Sequence, residues 1–163
     1  MHVARGYSFE IVRLIALLLR CYRFPFIGAI AEQLVLLLGA DIPRSVRWGA
    51  EFHVKHRGLG VVLHPKTVFR DRCVIMQGVT LGRQDVGVED GFAGIRVGDR
   101  VTIGANAVVL APNGGLTLAR GTIVGAGSVL TEPTGEWEVW AGNPARKVGM
   151  RVPPDIQESH LSR

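Results

Sequence analysis

Two hydrophobic periods divide the chain near residue 40. From Ser8 to about Gly39 the apolar residues follow helical spacing, with Ile11, Leu14, Ile15, Leu18 and Leu19 on one face. Ser8 is placed to cap this helix and Glu10 stands in its first turn. Pro25 ends it, because proline lacks the amide that a helix interior needs. A second helix is predicted from Phe26 to Leu38, with Gly39 as its C-cap.

After Asp41 the period becomes six. Ile42, Trp48 and Val54 open the register; Leu63, Phe69, Ile75 and Leu81 continue it; then come Val97, Ile103 and Val109, and finally Leu118, Val124 and Leu130. Small or β-branched residues recur four positions after many of these, at Val46, Thr67, Cys73, Val79, Val101, Ala107, Thr122 and Ser128. A period of six fits neither a helix nor an alternating strand. It describes short strands joined by corners, three to a turn, with every sixth side chain aimed at a common axis. Three breaks interrupt the register. Val54 to Leu63 and Val109 to Leu118 each carry three surplus residues, and Leu81 to Val97 carries ten. Such insertions must bulge outward, since the axis has no room for them.

Composition agrees with this reading. The chain has 163 residues, of which 47% are hydrophobic and 20% charged, and 21 are glycine. That excludes wholesale disorder and suits strands broken by tight corners. A formal charge of +5 favours an anionic partner, but neither zinc-finger spacing nor an aromatic–basic pattern points to nucleic acid. Cys21 and Cys73 form no C-x-x-C pair, which suits a reducing compartment. The stretch "FEIVRLIALLLRCYRF" is too short and too charged to span a bilayer. A cytoplasmic protein is expected. Peripheral membrane contact, through Arg5, Arg13, Arg20 and Arg23 on an amphipathic surface, is the less favoured use of the helices.

At "VIMQGVTLGR", "VGDRVTIGANAVVL", "IVGAGSVL" and "WAGNPARKV" the chain resembles hexapeptide-repeat acyltransferases, and among them the serine acetyltransferase branch. The resemblance covers Asp41 to about Val148. It implies a mainly β protein, a left-handed parallel β-helix with a short N-terminal helical region. The expected divisions are helices over 1–40, the coil over 41–148 with an excursion at 83–96, and a tail over 149–163. It also implies a homotrimer that binds acetyl-CoA between subunits, with no metal.

In that branch an Asp pairs with a His fifteen positions later, and Asp41 and His56 have that spacing. A neutral imidazole can take the proton of a hydroxyl as it attacks a thioester, while a carboxylate fixes the tautomer. Fifteen residues are close to one eighteen-residue turn, so the two are expected to meet across adjacent coils. The resemblance further assigns oxyanion donors at Gly82 or Arg83 and a pantetheine ledge at Ala105 and Ala126. Arg146 and Lys147 are expected to meet CoA phosphates.

The chain departs from the branch in its acceptor pocket. Lys55 replaces the Asp that precedes the catalytic His, and Ala93 and Gly94 occupy the positions of an Arg-His pair. Replacing a carboxylate by an ammonium disfavours an acceptor's amino group. The expected activity is therefore O-acetyl transfer to a small molecule or saccharide, with Lys55, His64 and Gly94 near the acceptor. True serine O-acetylation is the alternative. Two readings of other classes remain: a zinc-dependent carbonate-hydrating enzyme with His53, His56 and His64 as ligands, and a non-catalytic trimeric scaffold.

Overall fold

The computed structural model describes residues 7–85, 87 and 91–153, with side chains from Leu14 onward. Helix α1 spans Tyr7–Cys21 and α2 spans Pro25–Leu37. Ser8 therefore lies inside the first turn of α1 and does not cap it; the side chains of Ser8, Glu10 and Ile11 fall outside the described residues. Pro25 does more than end α1. It is the first helical residue of α2 behind Phe24, where a missing amide costs nothing. At the other end Leu38 is the cap and Gly39 follows with φ +88°. The amides of Gly39 and Ala40 reach back to Leu36 O (2.9 Å) and Val35 O (3.1 Å), a paired closure that needs a left-handed residue.

The strands then follow in coils. The first coil holds β1 (His53–Val54); the second β2 (Val62–Leu63), β3 (Thr67–Phe69) and β4 (Val74–Ile75); the third β5 (Thr80–Arg83), β6 (Ile95–Val97) and β7 (Thr102–Ile103). The fourth holds β8 (Val108–Ala111), β9 (Leu116–Leu118) and β10 (Ile123–Val124), and β11 (Val129–Leu130) leads to β12 (Glu138–Gly142) and β13 (Ala145–Met150). They stack into three parallel faces: β1-β4-β7-β10-β12, β2-β5-β8-β11 and β3-β6-β9. This is the expected left-handed parallel β-helix.

The register accounts for every break in the sequence period. Val62 pairs with Thr80, eighteen residues on. Asp41 pairs with Val62 at twenty-one, Thr80 with Val108 at twenty-eight, and Val108 with Val129 at twenty-one. The surpluses of three and ten residues thus leave the coil as loops and return without displacing it.

All thirteen six-spaced positions are buried except Trp48 and Val54, and all eight small or β-branched positions are buried. The two exceptions lie in the first coil, which has no coil before it. Helix α1 lies over this end and buries Ile15 and Leu19, whereas Leu14, expected on the same face, is exposed. Tyr22, Trp48, Phe52 and Phe69 form a column of ring contacts at 5.9, 5.5 and 4.7 Å. The far end is closed by β13, which turns back antiparallel onto β12 across the Asn143–Pro144 bond.

Candidate active site

One edge of the prism gathers His56 and the two expected ledge residues. It joins the β1 face to the β2 face, and on successive coils it carries the His56–Gly60 loop, Gln77–Gly78, Ala105–Asn106 and Ala126–Gly127. Backbone bonds tie these levels together: Gly78 N–H to Leu59 O (2.8 Å), Asn106 N–H to Gln77 O (2.9 Å) and Gly127 N–H to Ala105 O (2.8 Å). Ala105 and Ala126 are therefore neighbours on adjacent coils, leaving a narrow ledge with only methyl groups on it. Gly104 permits the stacking, since a Cβ there would come within 2.6 Å of Ala126 N.

His56 opens the loop at the head of this edge. It and Arg57 both adopt left-handed backbone, with φ 50° and 62°. Two consecutive non-glycine residues in that region store strain, of about 1–2 kcal/mol each, which the surrounding bonds must hold. Gly58 N–H to Lys55 O (3.0 Å), Gly60 N–H to Gly39 O (2.7 Å) and Val61 N–H to Gly58 O (2.9 Å) supply that support.

Asp41 lies beside this loop, with its own amide on Val61 O and its carbonyl accepting from Leu63 N–H. Its side chain is exposed, and among the described residues no hydrogen bond or ion pair joins it to His56. The fifteen-residue spacing brings their backbones to neighbouring positions and stops short of a bonded pair. Lys55 and His53 project from the outer face of β1, where they line a groove of about 450 Å³ beneath α1 with Arg20 and Glu51.

Four further expected residues lie at the other end of the β2 face. Val62 and Leu63 pair with Thr80 and Leu81, so Gly82 and Arg83 stand level with His64, away from His56. There the structure builds a cluster whose centre, the buried Phe92, the sequence did not single out. His64 meets its ring edge-on at 4.6 Å, Arg83 lies over it at 5.1 Å, and Lys66 Nζ donates to its carbonyl (3.1 Å). Arg83 also donates to Asn113 Oδ1 (3.2 Å). His64 Nδ1 accepts the Lys66 amide (3.0 Å), which leaves its proton on Nε2. Burial, followed by the cations of Arg83 and Lys66, pushes its pKa below the ordinary histidine value. His64 is thus a neutral donor. Gly94, by contrast, is buried with φ +96° against Lys66 O, where a side chain would have no room. An Arg and a His thus meet at the root of the excursion, though its own matching positions are Ala93 and Gly94. They come from paired strands of adjacent coils, β2 and β5, nineteen residues apart in the chain, which is why chain order concealed them.

Arg146 and Lys147 lie on β13 and are paired, Arg146 with Glu132 (3.1 Å) and Lys147 with Glu138 (2.8 Å). The two pairs differ. Glu138 also accepts from the Gly135 amide (2.6 Å) and Trp140 Nε1 (2.9 Å). The Lys147 bond, with those two, lowers its pKa to about 2. Among the described residues no three His, Cys, Asp or Glu side chains gather as a metal site. His53, His56 and His64 are separated onto a strand face, a loop and the opposite edge.

A stacked prism with a small-residue ledge and a strained histidine loop defines a protein of the hexapeptide-repeat class. The family described as "Hexapeptide repeat of succinyl-transferase" matches residues 94–132. The serine acetyltransferase of Synechococcus elongatus is 33% identical over 136 residues, covering 81% of this chain and 53% of its own. That of Bacillus licheniformis is 31% identical over 142 residues, covering 85% and 63%. A solved serine acetyltransferase from Vibrio cholerae superposes with a TM-score of 0.71 at 27% identity, over 90% of this chain and 55% of that one. The Brucella abortus enzyme in complex with coenzyme A gives 0.69 at 25%, over 89% and 57%. The chain is a hexapeptide-repeat protein, similar in sequence and fold to serine acetyltransferases. It spans between about half and two-thirds of the length of these relatives.

Proposed function

We propose that the chain is an acetyl-CoA-dependent O-acetyltransferase in which His56 is the general base. The carrying observation is the edge column: one backbone-bonded ladder runs from the Ala105–Ala126 ledge to the strained loop of His56. A pantetheine arm along the ledge would bring its thioester to that loop. The imidazole takes the acceptor's hydroxyl proton, the oxygen bonds to the acetyl carbon, and the carbon–sulfur bond breaks. The imidazolium then returns the proton to the leaving thiolate. Asp41, beside the loop, would orient the ring once its exposed carboxylate turns onto the imidazole.

The site is proposed to form between subunits of a homotrimer. His56 and the pair His64–Arg83 stand at opposite ends of one face, which supports this reading, because a ring-closing contact sets one end of a face against the other end in a neighbour. Gly82 and Arg83 would then serve the developing oxyanion from the adjacent subunit. Of the two basic residues, Arg146 is the better phosphate partner. Its Glu132 contact is exposed and easily exchanged, whereas Glu138 is held at Lys147 by two further donors.

For the acceptor, the serine acetyltransferase relatives support L-serine, the alternative reading of the sequence, over a saccharide. Arg83 beside a neutral donor also suits a carboxylate. One observation favours the second reading: Lys55 precedes His56 at the position where the branch carries a carboxylate for the acceptor's amino group. Steady-state assays with acetyl-CoA and a panel of L-serine and saccharides decide between them. His56→Ala is expected to lower kcat/KM by roughly 10²–10⁴ for whichever acceptor is used; an unchanged rate would refute His56 as base.

A further inference from the structure

Helix α2 is built the wrong way round for a helix whose only partner is its own chain. It buries Gly28, Ala31 and Val35 and turns its large apolar side chains outward. Phe26 is 86% exposed, Ile30 64% and Leu37 82%, and Ile27 and Leu34 are exposed beside them. At helical spacing these five fall on one stripe of about 100°. Gly28 explains the inward side, since a Cβ there would meet the carbonyls of Tyr22 (2.9 Å) and Cys21 (3.1 Å). Among the described residues nothing packs against the outward side.

The charges around the stripe identify what it fits. The first forty residues hold four arginines against two glutamates. Arg20 and Arg23 are exposed at the junction of the two helices, Arg23 lying 4.8 Å over the Phe24 ring. Glu32, the acid of α2, is turned inward and accepts the Arg44 amide (3.0 Å). An apolar stripe with exposed cations at its head, and with the acid of α2 turned away from it, complements a surface of hydrocarbon beneath anionic headgroups. Among the described residues no helix is long and apolar enough to cross a membrane, so the contact would lie in its plane.

We propose that α2 lays this stripe into the surface of an anionic phospholipid membrane, with Arg20 and Arg23 at the headgroups. Leu59 extends the stripe toward the edge column: it is exposed, and its Cδ1 lies 3.0 Å from where a Cβ on Gly39 would stand. It belongs to the His56 loop, so the docked protein holds that loop close to the bilayer.

Sedimentation of the full chain with phosphatidylcholine vesicles, with and without phosphatidylserine, tests this. The protein is expected to pellet with the anionic vesicles, less with the neutral ones, and less as salt rises. Combining Phe26→Ser, Ile30→Ser and Leu37→Ser should weaken partitioning by at least about tenfold. Arg20→Glu with Arg23→Glu should weaken it several-fold and abolish the salt dependence; this variant changes only exposed side chains and decides the matter if the serine variant misfolds. Failure of the wild type to pellet with anionic vesicles, or pelleting of both variants as strong as that of the wild type, overturns the proposal. So does light scattering without lipid in which the wild type has twice the mass of the serine variant, since a second copy then covers the stripe. None of these readings depends on acetyl transfer.

Discussion

In the coil, hydrophobicity and burial coincide: Leu81, Ile103 and Leu130 recur at the chain's period and all face the axis. In α2 they are opposed, for Phe26, Ile30 and Leu37 face out while Gly28 and Ala31 face in. The coil has one sink for apolar surface, the axis it encloses. Helix α2 has two, and the inner is too shallow for large side chains because α1's last carbonyls lie against it. A helix can thus be hydrophobic all round and still be only half used by its own fold.

Substitutions of graded effect break or sharpen this contrast. Ile103→Ala should be most damaging, because the axis cannot collapse onto a missing side chain while three faces hold their register; denaturant unfolding should show a loss of roughly 2–5 kcal/mol. Gly28→Val forces branched carbons against the Cys21 and Tyr22 carbonyls and should cost roughly 1–3 kcal/mol, read as a lower midpoint with an unchanged slope. Tyr22→Phe removes the donor to Ile42 O (2.9 Å), which ties α1 to the first coil. Loss of that bond should cost about 1 kcal/mol, measured the same way. Phe26→Ser with Leu37→Ser should change stability least, by no more than about 0.5 kcal/mol, despite deleting two of the largest apolar groups in α2. A larger loss would mean that the stripe packs on the chain itself, and the contrast would dissolve.

Much of the coil was legible because its period counts residues along the chain, and a parallel ladder preserves counting. Spacings of eighteen, twenty-one and twenty-eight follow directly from the breaks after Val54, Leu81 and Val109. Features that depend on direction were not. The sequence shows Asp41 and His56 one near-turn apart, but two left-handed residues at the corner decide where the imidazole points. It shows His64 and Arg83 on different coils, and only a folded excursion reveals Phe92 between them. Nor could it tell that β13 would turn back on β12, because Leu130 is the last residue of the six-fold pattern.

The edge column also acts as a graduated scale. Each coil advances the ladder by one strand spacing, about 4.8 Å, so Leu59 and Gly127 stand three graduations apart, roughly 14 Å. The distance between the ledge and the His56 loop can therefore change only in whole steps. Removing one eighteen-residue coil would shorten the reach by one graduation and leave every axial side chain in register, whereas removing one residue would have to be absorbed at a corner. Evolution or engineering that retunes the length of ligand such a column could span must therefore do so in integers.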